Sequence, residues 1–343
     1  MTEAPHPPKS YDAAERAMLA TLYETARGQR DHLQKPFKYR LVSQAQAAPV
    51  ERAYYTWIRA EKSGEEPVFD EGAMRAAIYN QAAAARQLEA FIHVSRVSVF
   101  ELCQGAIRGF EEKEVAVPYI LLRSLIERTA NIAALSDEVK ALPSGPTPPD
   151  FPHKPLIEVS DRIGRALYGT KVNWEALRDV DLHAVRKDDI AYIHKELTLD
   201  VSARNVLTSI DKLGKRVSGA RVAYDVLCEF LHPNVGDLYS TTVRATSHSD
   251  AFRTRHLVRE IGLGPKDLST APDLEALMDQ VLPVCGEALR LLPSLFGDLH
   301  TASLAANRMA KKAAHKMRKR YRSYFRNNDL CPCLSGRKVR DCR

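Results

Sequence analysis

Residues 117–135 read Val-Pro-Tyr-Ile-Leu-Leu-Arg-Ser-Leu-Ile-Glu-Arg-Thr-Ala-Asn-Ile-Ala-Ala-Leu, and this stretch decides the fold class. Its apolar residues recur mostly every three or four positions, which is the spacing of one face of an α-helix. Pro118 fits the first turn of such a helix, where the missing backbone N–H has no intrahelical partner. The stretch therefore predicts a strong helix over 117–138.

The same spacing recurs along most of the body. In the long Ala-rich stretch 73–110, Gly105 and Gly109 are expected to weaken the far end of the helix. Residues 238–246 carry β-branched side chains, a pattern as compatible with an ordered loop as with a short strand. Further helices are predicted at 11–30, 158–168, 202–216, 218–231 and 272–298, the last kinked by Pro283. We therefore expect a mostly α-helical bundle.

The clearest break in the helical pattern is a proline-rich segment, Pro143-Ser-Gly-Pro-Thr-Pro-Pro-Asp-Phe-Pro-His-Lys-Pro155. It cannot continue a helix, so it is either a linker between two domains or a long loop inside one helical domain. The prediction is a helical region at 1–142, a Pro-rich loop or linker at 143–157 and a second helical region at 158–300 that could share a domain with the first. A basic helix at 301–325 and a cysteine module at 326–343 follow.

The positive charge of the chain is concentrated at its C-terminal end. From Asn307 onward there are 13 Lys and Arg residues and two acidic residues, Asp329 and Asp341, so this segment has a net charge of +11. Residues 1–306 have a net charge of −4, which gives +7 for the whole chain. A local basic block indicates an acidic partner more clearly than a high overall pI does.

The last thirteen residues, Cys331-Pro-Cys-Leu-Ser-Gly-Arg-Lys-Val-Arg-Asp-Cys-Arg343, place three cysteines at C-x-C-x8-C spacing. Two thiolates one residue apart can both face a metal if the chain turns sharply, and Ser335-Gly336 can supply a later turn. Zinc favours four tetrahedral ligands, often thiolates. Metal binding would also supply the folding energy that so short a segment lacks. The pattern therefore predicts a zinc knuckle on Cys331, Cys333 and Cys342.

This segment resembles the SEC-C motif, a zinc-binding module found at the ends of bacterial translocase ATPases and of many unrelated bacterial proteins. The match rests on Arg326-Asn-Asn-Asp-Leu-Cys-Pro-Cys333, Ser335-Gly-Arg-Lys338 and Cys342. The resemblance implies zinc as cofactor. By analogy with the translocase module, which contacts a chaperone and the ribosome, it also suggests docking, without transferring a partner.

Two positions depart from the family pattern. Leu334 stands where the family has Gly, and Arg343 stands where the family has its fourth ligand. The fourth position could be filled by the Arg343 carboxylate, Asp341, His315 or water. It could also be empty, in a module that no longer holds metal.

Residues 302–325 precede the cysteines and are predicted to form one helix. An apolar stripe recurs every four residues from Met309 to Phe325, and basic residues cover the remaining faces. Such a helix could dock on RNA, DNA or the ribosome, on an acidic protein, or as a peripheral contact on an anionic membrane. The alternative is a solvated face docked through its stripe onto the acidic body. The predicted contact residues are Lys311, Lys312, Lys316, Arg318, Lys319, Arg320 and Arg322.

One polar row on the 117–138 helix is a candidate site in the body. Arg123 and Glu127 share a face because they are four residues apart. They could line an interior site with His232 and Asn234, or form an ion pair at the edge of a bundle, which is the favoured interpretation. Cys103, Cys228 and Cys285 are predicted to be buried thiols rather than nucleophiles.

The working hypothesis is a non-catalytic, cytoplasmic interaction or regulatory protein with no transmembrane segment and no signal peptide. The alternative is a helical ribonuclease or toxin-type enzyme of the HEPN class, which uses an Arg-x4–6-His pattern. That pattern occurs here about as often as composition alone gives, with Arg86 and His93 on the strongest helix as the best pair. No nucleotide-binding, metalloprotease or hydrolase motif is present in the sequence.

Overall fold

The protein is mostly α-helical, as the sequence predicts. A computed structural model of the chain describes residues 13–38, 71–114, 116–140, 162–167, 205–231, 242–251, 253–261, 272–320, 327–328, 331 and 337–341. The predicted Pro-rich segment 143–157 lies outside these residues. Among the helices that are described, none is both long enough and apolar enough to cross a membrane.

Seven helices and one hairpin have defined bounds in the described residues. Residues 162–167 are also helical, and a 3-10 turn covers Val339–Asp341. In chain order the elements are α1 (Ala13–Leu33), α2 (Glu71–Glu111), α3 (Val117–Val139), α4 (Val206–Gly214), α5 (Ala220–Cys228), β1 (Thr242–Ser249), β2 (Arg255–Ile261), α6 (Pro272–Arg290) and α7 (Leu292–Arg320).

Two glycines near the C-terminal end of α2 allow α3 to pack closely against it. A Cβ added at Gly105 would lie 2.9 Å from Leu121 Cδ1, and one at Gly109 would lie 3.0 Å from Pro118 Cδ. The helix continues through both glycines to Glu111, and their missing side chains let α3 approach closely.

The C-terminus of α2 is closed by a Schellman motif. The Glu114 N–H donates to the Gly109 carbonyl at 2.8 Å, and the Lys113 N–H donates to Phe110 at 3.2 Å. Lys113 occupies the left-handed position with φ 56°, where glycine is usual.

Contacts divide the chain into two compact units. The first has an apolar core in which α6 packs against α1 and α5, and α4 packs against α5. Leu22, Leu122, Leu125 and Ile126 are completely buried. The first unit comprises Met1–Lys35, Val94–Ala134 and Asn205–Leu295, and the second comprises Pro36–His93, Leu135–Arg204 and Phe296–Arg343.

Strands β1 and β2 form an antiparallel pair. The sequence of residues 238–246 was compatible with either a strand or an ordered loop, and this region overlaps the start of β1. The pairing runs from Thr242 opposite Ile261 to Ser249 opposite Arg255, with an irregularity near Arg244. The hairpin turn is closed by Asp250, whose side chain accepts from the Thr254 N–H at 2.9 Å.

The last two long helices meet at a different place from the one expected. The sequence predicts helices at 272–298 and 302–325, but the break lies at Leu291, between α6 and α7. Pro293 explains the position, because proline has no N–H to continue α6 and is tolerated in the first turn of a new helix. Pro283 lies inside α6, as the sequence suggested.

Candidate functional site

The polar row on α3 forms an ion pair. The Arg123 guanidinium lies 2.8 Å from Glu127 Oε1, and their side chains are 20% and 24% exposed. The two residues are one helical turn apart, so the apolar helix presents both charges on one face. The sequence did not show what lies opposite this face.

Helix α5 presents a matching pair to the same face. Arg123 Nη2 donates to the Tyr224 hydroxyl at 3.0 Å, and that hydroxyl donates to Glu127 Oε1 at 2.8 Å. Arg123 Nε also donates to Cys228 Sγ at 3.1 Å. The guanidinium carbon lies 5.2 Å from the centre of the Tyr224 ring, within range of a cation–π contact. We call these four residues the Arg123 cluster.

Burial, hydrogen bonds and charge together shift the pKa values of Tyr224 and Arg123 in the Arg123 cluster. Burial, followed by the hydrogen bond to the Glu127 carboxylate, raises the pKa of Tyr224 to about 12. Burial alone would lower the pKa of Arg123, but its hydrogen bonds to Cys228 and Tyr224 and the charge of Glu127 raise it overall. At neutral pH the tyrosine is therefore protonated and the arginine charged. The cluster is fitted to hold α3 against α5 rather than to exchange protons.

The structure does not describe the two residues predicted as partners of this row, and it shows two partners that were not predicted. His232 and Asn234 lie outside the described residues. Tyr224 and Cys228 were missed as partners, although they are four residues apart on one face of an amphipathic helix, and that spacing was the available signal.

The body cysteines fall into two groups. Cys103 and Cys285 are buried, which confirms the prediction of buried thiols for these two, and burial raises the pKa of both thiols to about 12. Cys228 is only partly buried, which corrects the prediction that it is a buried thiol. Its position at the end of α5, beside the partly exposed Arg123, accounts for the difference.

The best Arg-x4–6-His pair is held by other side chains. Arg86 forms an ion pair with Glu89 at 2.6 Å. The His93 ring stacks on Phe37 with a centroid distance of 5.3 Å. Arg86 and His93 therefore each contact a side chain other than the other's.

The described part of the cysteine module folds back on itself. The Cys331 N–H donates to the Arg337 carbonyl at 2.8 Å, and the Arg340 N–H donates to the Asn327 carbonyl at 3.2 Å. Cys331 and Val339 are buried. Within the described ranges no group of three or more His, Cys, Asp or Glu side chains could hold a metal, but Cys333 and Cys342 lie outside those ranges.

The predicted basic helix corresponds to the C-terminal part of α7. Residues 301–312 of this helix include both buried and exposed side chains. Of the predicted contact residues, Lys312 is exposed and Lys311 partly exposed, as far as side chains are described. The backbone of α7 includes Lys316, Arg318, Lys319 and Arg320 but ends before Arg322, which lies outside the described residues. Arg308 and His315, which were not on the predicted contact list, are exposed as well.

Comparisons with known proteins give no relative: no family model, no curated protein and no solved structure matches this chain.

Proposed function

We propose that this chain is a non-catalytic interaction protein whose C-terminal segment, residues 307–343, docks on an acidic partner. The observation that carries the proposal is the distribution of charge, +11 on this segment against −4 on residues 1–306. A segment that strongly basic repels itself, so a polyanionic surface is its natural counterpart. The exposed side chains of Arg308 and Lys312 support the proposal, because they are available to such a partner.

The proposal includes zinc bound by Cys331, Cys333 and Cys342 as a structural ion. Three thiols within twelve residues fit zinc by their chemistry. The fold-back of Cys331 onto Arg337, with Val339 buried, is the kind of compact turn that such an ion stabilises. Bound zinc would supply folding energy to a segment too short to bury a large apolar core.

Zinc content of the purified, reduced protein tests this part of the proposal. We expect about one zinc per chain, falling below about 0.1 in Cys331→Ser/Cys333→Ser, because removing two of three thiolates abolishes tight binding. Cys228→Ser is the matched control and should retain its zinc. Wild-type protein with zinc in fewer than about one chain in ten would show that the module has lost its metal.

Docking is tested by retention on an immobilised polyanion such as heparin. The double variant Lys311→Gln/Lys312→Gln should elute at lower salt than the wild type, because two cations in the basic segment are removed. Lys212→Gln/Lys215→Gln removes the same charge from α4 and its C-cap and should elute like the wild type. Equal shifts for both variants would mean that only net charge matters and would refute a dedicated docking segment.

The proposal places the protein in the cytoplasm, where a reducing environment keeps the cysteines available to a metal. It also treats the body as a scaffold. RNA cleavage by the full chain, lost in His93→Ala with the fold intact, would replace the proposal with the ribonuclease hypothesis.

A further inference from the structure

The hairpin formed by β1 and β2 places two histidines directly opposite each other. His248 of β1 is paired with His256 of β2, one pair before the strands end at the turn. Residues opposite each other in an antiparallel pair lie on the same face of the sheet, with Cβ atoms about 4.5–5.5 Å apart. With 11 histidines in 343 residues, composition alone does not favour two of them at one of seven paired positions.

The turn beside the two histidines fixes the register of the hairpin. The Asp250 N–H donates to the Thr254 carbonyl at 3.0 Å, and the Arg253 N–H donates to the Asp250 carbonyl at 3.0 Å. Asp250 Oδ1 also accepts from the Thr254 N–H at 2.9 Å. The irregularity in the pairing lies at the other end of β1. A slip by one residue, which would move one histidine to the opposite face, is therefore opposed by the turn.

Within the two strands, the face that carries the histidines has no excess of positive charge. Residues two positions apart along a strand share a face. The next pair on this face is uncharged, and the pair after it joins Arg244 to Glu260, whose formal charges cancel. Arg255 and Arg259 are an odd number of residues from Arg244's partner or adjacent to His256, so they fall on the opposite face. A cation bound between the histidines therefore meets no unbalanced arginine on its own face.

Two opposed imidazoles can chelate one late first-row divalent cation. Zinc binds imidazole nitrogen at about 2.0–2.1 Å, and copper and nickel also favour imidazole, whereas magnesium and calcium prefer oxygen ligands. The second imidazole binds intramolecularly, so the pair binds a metal more tightly than a single histidine does. Two protein ligands leave the other coordination positions to water, which makes such a site open rather than closed.

The isolation of the hairpin gives a cross-link between its strands a physical effect. A two-stranded hairpin on its own is marginally stable in water. Among the described elements, β1 and β2 contact each other extensively, and no described helix packs extensively on either strand. A metal ion that requires both histidines binds the paired strands and not the separated ones, so it stabilises the hairpin.

We propose that His248 and His256 together bind one divalent transition-metal ion of the zinc, nickel or copper class, and that this ion joins β1 to β2. The site is separate from the zinc proposed on the cysteines. It goes beyond the proposed docking function and does not depend on it.

The test is isothermal titration calorimetry of the untagged, metal-free full chain with Ni²⁺. The parent chain carries Cys331→Ser/Cys333→Ser, so that two of the three proposed thiolate ligands are absent. We expect about one Ni²⁺ per chain and no binding of Mg²⁺. His248→Ala and His256→Ala should each weaken Ni²⁺ binding about tenfold or more, because the intramolecular second ligand is lost.

Two variants of this parent separate the pairing from the histidine content. His300→Ala removes an exposed histidine of α7 and should bind Ni²⁺ like the parent. His256→Ala/Leu257→His keeps the number of histidines but moves one to the other face, because successive strand residues alternate. It should bind as weakly as His256→Ala. Undiminished binding by the moved-histidine variant, or no Ni²⁺ binding by the parent, would overturn the inference.

A second measurement requires no substitution in the hairpin. Substoichiometric Cu²⁺, which is paramagnetic, should broaden the amide NMR signals of His248, His256 and their strand neighbours in the same parent chain. Broadening confined to other histidines would overturn the inference even if the hairpin variants fail to fold. Retention on heparin tests the docking function separately, so failure of either proposal can be told from failure of the other.

Discussion

Replacing Tyr224 with phenylalanine tests the physical account of the Arg123 cluster. The substitution removes one oxygen atom and keeps the ring, so the buried apolar area and the cation–π contact with Arg123 remain. The hydroxyl that is lost accepts a hydrogen bond from Arg123 and donates one to Glu127. The direct Arg123–Glu127 ion pair at 2.8 Å survives, so neither charge is left without a partner.

The expected loss is about 1.5–3 kcal/mol in the free energy of unfolding, the range for hydrogen bonds to charged groups. We do not expect the full contribution of both hydrogen bonds to be lost, because the surviving Arg123–Glu127 ion pair compensates for part of the loss. Tyr23→Phe is the matched control: its hydroxyl also donates to a carboxylate, that of Glu111, but at the surface. There we expect less than about 1 kcal/mol.

The pH dependence gives the prediction a second readout. The pKa of Tyr224 is raised to about 12 in the folded protein, against about 10 for an unfolded chain. The proton is held more tightly in the folded state, so the stabilisation is complete below pH 10 and is lost as pH rises toward 12. The stability difference between wild type and Tyr224→Phe should therefore be constant at neutral pH and shrink above pH 10.

Urea unfolding followed by circular dichroism measures both effects, with an unchanged m-value showing that the transition itself is the same. A loss for Tyr224→Phe no larger than that for Tyr23→Phe would refute the cluster as a clamp between α3 and α5. A difference that stays constant or grows through pH 10–12 would refute the assigned role of the hydroxyl proton.

The same denaturation assay tests three other features of the fold. Lys113→Gly should stabilise the protein by about 0.5–1 kcal/mol by relieving the left-handed backbone at the end of α2, and a loss would mean that the position is not strained. Gly105→Ala should destabilise it by about 1–3 kcal/mol because the new Cβ meets Leu121, and Leu121→Ala in the same chain should recover part of that loss. Leu122→Ala, at a completely buried site, should cost about 2–5 kcal/mol, whereas Leu207→Ala, at a 40% exposed site, should cost well under 1 kcal/mol.

Helix existence could be predicted from the sequence because periodicity is a local property. The predicted helix 117–138 corresponds to α3, Val117–Val139, and 73–110 corresponds to α2, Glu71–Glu111. The end of α6 was harder to predict from the sequence, because Pro283 and Pro293 are both compatible with a helix break. The choice between them depends on packing. The role of Gly105 was also hidden, since a close approach depends on the residue that lies opposite.

Only the α3 residues of the candidate site in the body could be predicted from the sequence. Arg123 and Glu127 stand out because charges on an apolar helix are costly to bury alone. Their partners on α5 are about a hundred residues away in sequence, and nothing local to Tyr224 or Cys228 identifies which helix they face. The charge asymmetry of the C-terminal segment was fully visible, because it requires no knowledge of contacts.

The buried face of α7 has a consequence for binding that the charges alone would not predict. Ala306 and Met309 are buried, so the stretch of α7 that carries Arg308 and Lys312 is already packed before a partner arrives. Ordering a helix on binding would subtract from the affinity. Met309→Ala leaves every charge in place but removes part of this buried face, so it should weaken retention on heparin. Val222→Ala, at a 65% exposed position of α5, is the control and should have little effect. An unchanged affinity in Met309→Ala, with helix content shown to be reduced, would mean that the basic segment binds without the support of the body.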